Sequence, residues 1–121
     1  MENNYKDIVT QVNESFRVNN PDIFTGFCRE NAVWNIVGDQ VLKGRQAIAD
    51  FMEPMRGGKP ADVKFYHMVQ ENEKVVSTGS MIMPGKDCIN TEMHFSDLYI
   101  FEEGQIKELF SYIVELKKKK S

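Results

Sequence analysis

The residue with the clearest chemical potential is Asp97. It lies in Thr91-Glu-Met-His-Phe-Ser-Asp-Leu-Tyr-Ile-Phe101, a run rich in aromatic and β-branched residues and bounded by turn signals, which predicts the longest strand of the chain. Side chains alternate between the two faces of a strand, so Thr91, Met93, Phe95, Asp97, Tyr99 and Phe101 share one face. Ionising a carboxyl group among such neighbours costs several kcal/mol unless it is paired or hydrogen-bonded. The same cost raises its pKa toward neutrality, where a general acid, a base or an oxyanion donor works best. The structural alternative is a carboxylate held by Asn35, Tyr112 or a backbone amide. Asn35, with amide donors and a carbonyl acceptor, would orient a substrate carbonyl or a water, or pair with Asp97.

The remaining chemistry-bearing residues suggest an apolar pocket rather than a second reactive centre. Trp34 would stack on a flat ligand or fill the core. Phe16, Phe51, Tyr66, Phe95, Tyr99 and Tyr112 would supply aromatic walls. Met55, Met81 and Met93 would supply adaptable apolar ones, because an unbranched thioether fills irregular space. The two histidines, His67 and His94, fall in separate strands with no carboxylate at ligand spacing, so no metal site is expected. His94 lies on the parity opposite Asp97, with Glu92 and Ser96, and should face outward. His67 reads as a core or interface residue. Cys28 and Cys88 form neither a CxxC nor a zinc spacing and read as reduced thiols. No cofactor is implied.

These residues need elements to position them. Tyr5, Ile8, Val9, Val12 and Phe16 recur at helical spacing, with Lys6, Asp7, Gln11, Asn13 and Glu14 between them, which predicts an amphipathic first helix. Asn20-Pro21 suits the cap and first turn of a second helix carrying Ile23, Phe24 and Phe27. Asn31–Val37 reads as a strand, Val41–Lys43 as a short extended piece, and Arg45 opens a third helix that Pro54 and Gly57-Gly58 stop. From residue 61 onward the pattern is strand after strand: 62–70, 74–83, 91–101 and 105–116. Turns are expected at Glu71-Asn72-Glu73, Pro84–Asp87 and Glu102-Glu103-Gly104. Helices segregated from an antiparallel sheet define an α+β domain over residues 1–116, followed by a disordered basic tail at 117–121.

At 121 residues the chain supports one core without disulfides or metals. A net charge of −3 argues against a nucleic-acid binder, and no apolar run approaches the roughly 20 residues of a membrane helix. The polar N-terminus lacks the apolar stretch of a signal peptide, so a cytoplasmic protein is expected.

Three patches carry a resemblance: Phe27-Cys-Arg-Glu-Asn-Ala-Val-Trp-Asn35, Lys43-Gly-Arg-Gln-Ala-Ile-Ala-Asp-Phe51 and Asp97-Leu-Tyr-Ile-Phe-Glu-Glu-Gly-Gln-Ile106. Together with the element order they make nearly the whole chain resemble a SnoaL-like domain of the nuclear transport factor 2-like superfamily. That resemblance implies a cone-shaped curved antiparallel sheet with three helices in the N-terminal half enclosing a deep pocket, and dimers formed through the outer sheet face. His94, Ser96, Leu98 and Ile100, with Ile82 and Ile113, would then form the interface. It also implies a small apolar ligand. The superfamily includes isomerases, cyclases, dehydratases, hydrolases and pure binding modules, so a cofactor-independent enzyme acting on a carbonyl-bearing or cyclic compound and a non-catalytic ligand-binding or dimerisation module are both implied. In its steroid isomerases an aspartate base stands where Asn35 stands here, and a neutral aspartic acid stands at the position of Asp97. Their first-helix tyrosine has no counterpart among Glu14, Ser15 and Phe16, and an amide cannot abstract a proton. Two registers are open for the last strand: Leu109, Ser111 and Ile113 inward, or Phe110 and Tyr112 inward.

Overall fold

A computed structural model describes residues 4–84 and 90–116; the expected turn residues Gly85–Asp87, Cys88 and the basic tail lie outside these. Helix α1, Tyr5–Arg17, buries Tyr5, Val9 and Val12, and Tyr5 stacks on Phe101 with ring centroids 4.2 Å apart. The left-handed residue Asn19 (φ 57°) turns the chain, and Asn20 caps α2, Pro21–Phe27, by accepting the Asp22 amide at 3.2 Å. Strands β1 (Cys28–Ile36) and β2 (Gln40–Lys43) form a hairpin whose turn includes Gly38 at φ 85°. Helix α3, Arg45–Met52, is followed by a single 3₁₀ turn, Glu53–Met55. Pro54 has no N–H for the α-helical ladder, so the helix tightens there before it ends.

Strands β3 (Asp62–Glu71), β4 (Lys74–Pro84), β5 (Asn90–Glu102) and β6 (Gln105–Glu115) complete one curved six-stranded sheet of order β2-β1-β6-β5-β4-β3. The architecture is α+β, with three helices and a mostly antiparallel sheet. A wholly antiparallel sheet needs correcting at one seam, because β1 runs parallel to β6. The long excursion through β2, α3 and β3–β5 gives the chain enough length to return alongside β1 in the same direction. The Glu103-Gly104 turn between β5 and β6 uses two left-handed residues, φ 51° and 82°, the backbone twist that suits a two-residue hairpin.

Two features shape the sheet around its concave side. A bulge between Phe65 and His67 in β3 resets the alternation. Val63 and Phe65 point inward before it, whereas Met68 packs against the core and Val69 is 62% exposed after it. An unbroken alternation of Val63, Phe65, His67 and Val69 is therefore corrected, and His67 is exposed. Opposite the bulge stands Gly79, where a Cβ would lie 2.2 Å from the Lys64 carbonyl oxygen and 2.7 Å from Cζ of Phe95. Only a residue without a side chain lets β3 and the Phe95 ring approach this closely.

The segment after α3 is tied down onto the helix corner. Arg56 donates to both carboxylate oxygens of Asp22, at 2.9 and 2.7 Å, and also to Glu53. The amide of Asn19 donates to the Lys59 carbonyl at 2.7 Å, and the Ala61 N–H donates to the Arg17 carbonyl at 2.8 Å. The fully buried core of Val9, Val12, Phe24, Ile48, Phe101 and Leu109 lies between helices and sheet.

Replacing Gly79 by alanine should lower stability by about 1–3 kcal/mol, the usual cost of forced overpacking. A urea midpoint equal to that of the parent protein would show that β3 yields without strain.

Candidate functional site

The concave side of the sheet and the helices enclose a cavity of about 370 Å³. Its walls are formed by Phe16 from α1, Trp34 and Ile36 from β1, Phe51 and Met52 from α3, and Phe95 from β5. Exposure grades the cavity from one end to the other. Asn13, Trp34, Met52, Asp97 and Ser111 are all at most 9% exposed and form its closed end. Met55, Phe65, Met83 and Ile113, each 40–44% exposed, form its mouth. The aromatic wall is well packed: Trp34 meets Phe24 and Phe51 edge-on at 5.4 and 5.7 Å, and Phe16 lies 5.8 Å from Trp34.

A polar line crosses the closed end. Register pairs Ser77 on β4 with Asp97 on β5, and Asp97 with Ser111 on β6. Asn13 reaches down from α1 and donates to the Ser77 hydroxyl at 3.1 Å. The indole N–H of Trp34 donates to the Ser111 hydroxyl at 2.9 Å. Burial pushes the Asp97 carboxyl up to about 7, and a hydrogen bond from Ser111 opposes part of that rise. Near neutrality this carboxyl is divided between its acid and its conjugate base. Tyr99, two residues on and also inward, is fully buried. Its phenol is raised well above its ordinary value, first by burial and then by the charges of Asp97 and Cys28. The Cys28 thiol is pushed up to about 12 by burial, so it is protonated and unreactive. Among the described residues no cluster of histidine, cysteine and carboxylate side chains could hold a metal ion.

Of the residues expected to surround a ligand, Asp97, Trp34, Phe16, Phe51, Met55, Met81 and Phe95 line the cavity. Asn35 does not: Trp34 and Ile36 point inward on either side of it, and alternation turns it away. It therefore cannot pair with Asp97 across the pocket, and the inward residue at that end of β1 is the aliphatic Ile36. Tyr66 faces outward, as alternation after the inward Phe65 requires; its hydroxyl lies 2.7 Å from Ser80 and its ring beside His94. Tyr112 is outward and 47% exposed, since β6 takes the register that puts Leu109, Ser111 and Ile113 inward. Ile113 is consequently a cavity residue rather than part of the outer face. Met93 lies on the inward side of β5 but beyond the cavity lining, and Tyr99 belongs to the core.

Sequence reasoning missed Asn13 and Asp39 in the cavity lining and Ser77 beside Asp97 in the ladder. Asn13 was placed on the polar side of α1, yet it sits four residues after Val9 and three before Phe16. An amide at that spacing on the apolar stripe was the available signal. Ser77 carries no signal of its own until its register against Asp97 is known. Asp39, next to Gly38 in the β1–β2 turn, contributes an exposed carboxylate to the lining.

The family model of the SnoaL-like domain matches residues 9–109. The chain belongs to this SnoaL-like family. Among curated protein sequences, none matches it. Solved structures share the fold of this SnoaL-like chain. An NTF2-like protein of unknown function from Cytophaga hutchinsonii has a TM-score of 0.75 at 22% identity, over 89% of this chain and 97% of that one. The epoxide hydrolase/cyclase-like enzyme SalBIII, of pyran ring formation in the polyether salinomycin, has a TM-score of 0.75 at 18% identity, over 90% and 89%. An LEH-like epoxide hydrolase of M. tuberculosis has a TM-score of 0.75 at 14% identity, over 89% and 80%.

The raised Asp97 pKa has a consequence for stability. A carboxyl at about 7 when folded and about 3.9 when unfolded binds more protons in the folded state between those values. Its stabilising contribution is complete below about pH 4 and is lost as pH rises through 7. At about 1.4 kcal/mol per unit, the loss by pH 9 is on the order of 4 kcal/mol. Asp97→Asn should therefore gain stability relative to the parent protein as pH rises from 5 to 9, read from urea midpoints. A difference between the two that stays flat over this range would mean a carboxylate that is ionised throughout it.

Proposed function

We propose that this SnoaL-like protein is a cofactor-independent enzyme in which Asp97 acts as general acid on an apolar cyclic or carbonyl-bearing compound. The observation that carries this reading is a carboxyl with a pKa of about 7 at the closed end of a largely apolar cavity of about 370 Å³. Protonated Asp97 would give its proton to a carbonyl, ether or epoxide oxygen, leaving the conjugate carboxylate with a hydrogen bond from Ser111. An aliphatic and aromatic wall would hold the body of the substrate and exclude water from the reacting oxygen. Isomerisation, cyclisation, dehydration and hydrolysis all use such a step. Likeness in fold to an epoxide hydrolase/cyclase-like enzyme and to an epoxide hydrolase favours chemistry at a carbon–oxygen bond. Asn35, outside the cavity lining, has no role in this reading.

The test is turnover of 1-methylcyclohexene oxide and of a hydroxy-epoxide able to close to a cyclic ether. Asp97→Asn should lower kcat/KM by about 10²–10⁴-fold, and activity should fall above about pH 7 as the acid ionises. Turnover preserved in the variant would remove Asp97 from the chemistry.

One observation favours a second reading, a binding module without turnover. The other carboxylate in the lining, Asp39, is exposed, so no base is apparent beside Asp97. Saturable binding of the same epoxides with no turnover of either by the parent protein would establish it.

The homodimer belongs to the proposal as well. Tyr66, Val69, Ile82, Tyr112 and Val114 leave the outer sheet face 36–62% exposed at large apolar side chains, with His94 among them. Light scattering should give twice the 14.0 kDa chain mass, and Val114→Glu should shift the protein toward one chain. A single-chain mass for the parent protein at all concentrations would exclude the dimer.

A further inference from the structure

The Asp97 acid has two oxygens, and the surroundings treat them differently. Trp34 offers one donor, its indole N–H, and no acceptor. That donor is spent on the Ser111 hydroxyl oxygen at 2.9 Å, in a contact where Trp34 is 9% and Ser111 4% exposed. A hydroxyl that accepts from the indole keeps one proton to give. Register sets Asp97 directly across the β5–β6 ladder on the same inward face, which makes its carboxyl the acceptor for that proton, and Ser111 holds the Asp97 pKa down. The Asp97 oxygen that accepts from Ser111 is thereby closed to the acid's own proton.

We propose that Trp34 and Ser111 form a positioning relay that localises the acidic proton of Asp97 on its second oxygen, the one left to meet a ligand. The proposal rests on the reading of Asp97 as the acid and on the same class of substrate. The reacting end must be a bare acceptor oxygen, such as a carbonyl, an epoxide or a cyclic ether. Neither Trp34 nor Ser111 touches the reacting atoms in this scheme; both act through Asp97.

Among the described residues no charged side chain competes for this carboxyl. The packed elements bring Asn13 from α1, Trp34 from β1, Ser77 from β4 and Ser111 from β6. Tyr99 on β5 itself is a neutral phenol. Asp39 lies in the cavity lining as an exposed side chain. His94 is on the opposite face of the sheet, and His67 is exposed after the bulge.

Trp34 is the chain's one tryptophan, so its indole N–H gives a single ¹H–¹⁵N resonance. In the parent protein that resonance should shift with pH, with the midpoint of the Asp97 carboxyl carbon, near 7. The shift should vanish in Ser111→Ala and in Asp97→Asn. Ser111→Ala should raise the Asp97 midpoint by about one unit, since a hydrogen bond to the charged form is lost. Ser111→Thr, which keeps the hydroxyl, should return it. Replacing Trp34 by 3-benzothienylalanine keeps the ring shape and removes only the N–H, so it separates the relay from packing; it too should raise the midpoint. An indole resonance that is flat between pH 5 and 9, or one that titrates unchanged in Ser111→Ala, overturns the relay. These readings need no turnover. A relay that titrates as expected beside an Asp97→Asn variant of full activity would contradict the acid reading alone, whereas loss of turnover beside a flat resonance would contradict the relay alone.

Discussion

Holding one carboxyl group inside an apolar cavity is the constraint on which the rest of the site depends. Asp97 lies between Ser77 and Ser111 in the ladder, and of the two hydroxyls the one on Ser111 holds its pKa down. That support is enough to keep the group in the fold and too little to keep it fully charged at neutral pH. An arginine or lysine in place of either serine would have drawn the pKa down and made an inert ion pair. Hydroxyls leave the equilibrium near balance, the condition under which a carboxyl group can both give and recover a proton.

The helices complete the arrangement by setting its boundary. Asn13 and Phe16 come from one face of α1, and Phe51 and Met52 from α3, so the closed end is roofed by side chains on rigid elements. The roof is held by polar contacts outside the cavity: Arg56 clasps Asp22 across the gap between α2 and the 3₁₀ turn, and Asn19 binds the Lys59 carbonyl. Below it, Gly79 and the β3 bulge let Phe65 and Phe95 meet edge-on with centroids 6.0 Å apart, narrowing the far wall. The cavity thus grades from a buried end holding Asn13, Asp97 and Ser111 to an exposed one formed by Met55, Met83 and Ile113, with the Asp39 carboxylate also exposed in the lining. A ligand with one oxygen-bearing end and an apolar body suits that gradient.

Much of the architecture was legible because it rests on local periodicity. The spacing of Tyr5, Val9, Val12 and Phe16, the Asn20-Pro21 cap, the break at Pro54 and the Gly104 hairpin each act over a few residues, and each appears where expected. Asp97 was legible for the same reason, since alternation within one long strand places it among Phe95, Tyr99 and Phe101. Errors gathered where one strand's facing depends on another. The bulge in β3 turns His67 and Val69 outward and Met68 inward, and the register of β6 decides between Ser111 and Tyr112. On β1, the inward facing of Trp34 and Ile36 excludes Asn35.

By itself the amino-acid sequence determined the helices, the order of the strands and the presence of an acid on an apolar face, because these follow from patterns of 3.6 and 2.0 residues within single segments. Only the tertiary structure decided which groups meet that acid. Ser77 and Ser111 are ordinary polar strand residues until the ladder sets them beside Asp97, and Asn13 and Trp34 bond to them from sequence separations of 64 and 77 residues. Such contacts depend on how strands and helices close around a shared volume, and no local pattern encodes a distance of that kind.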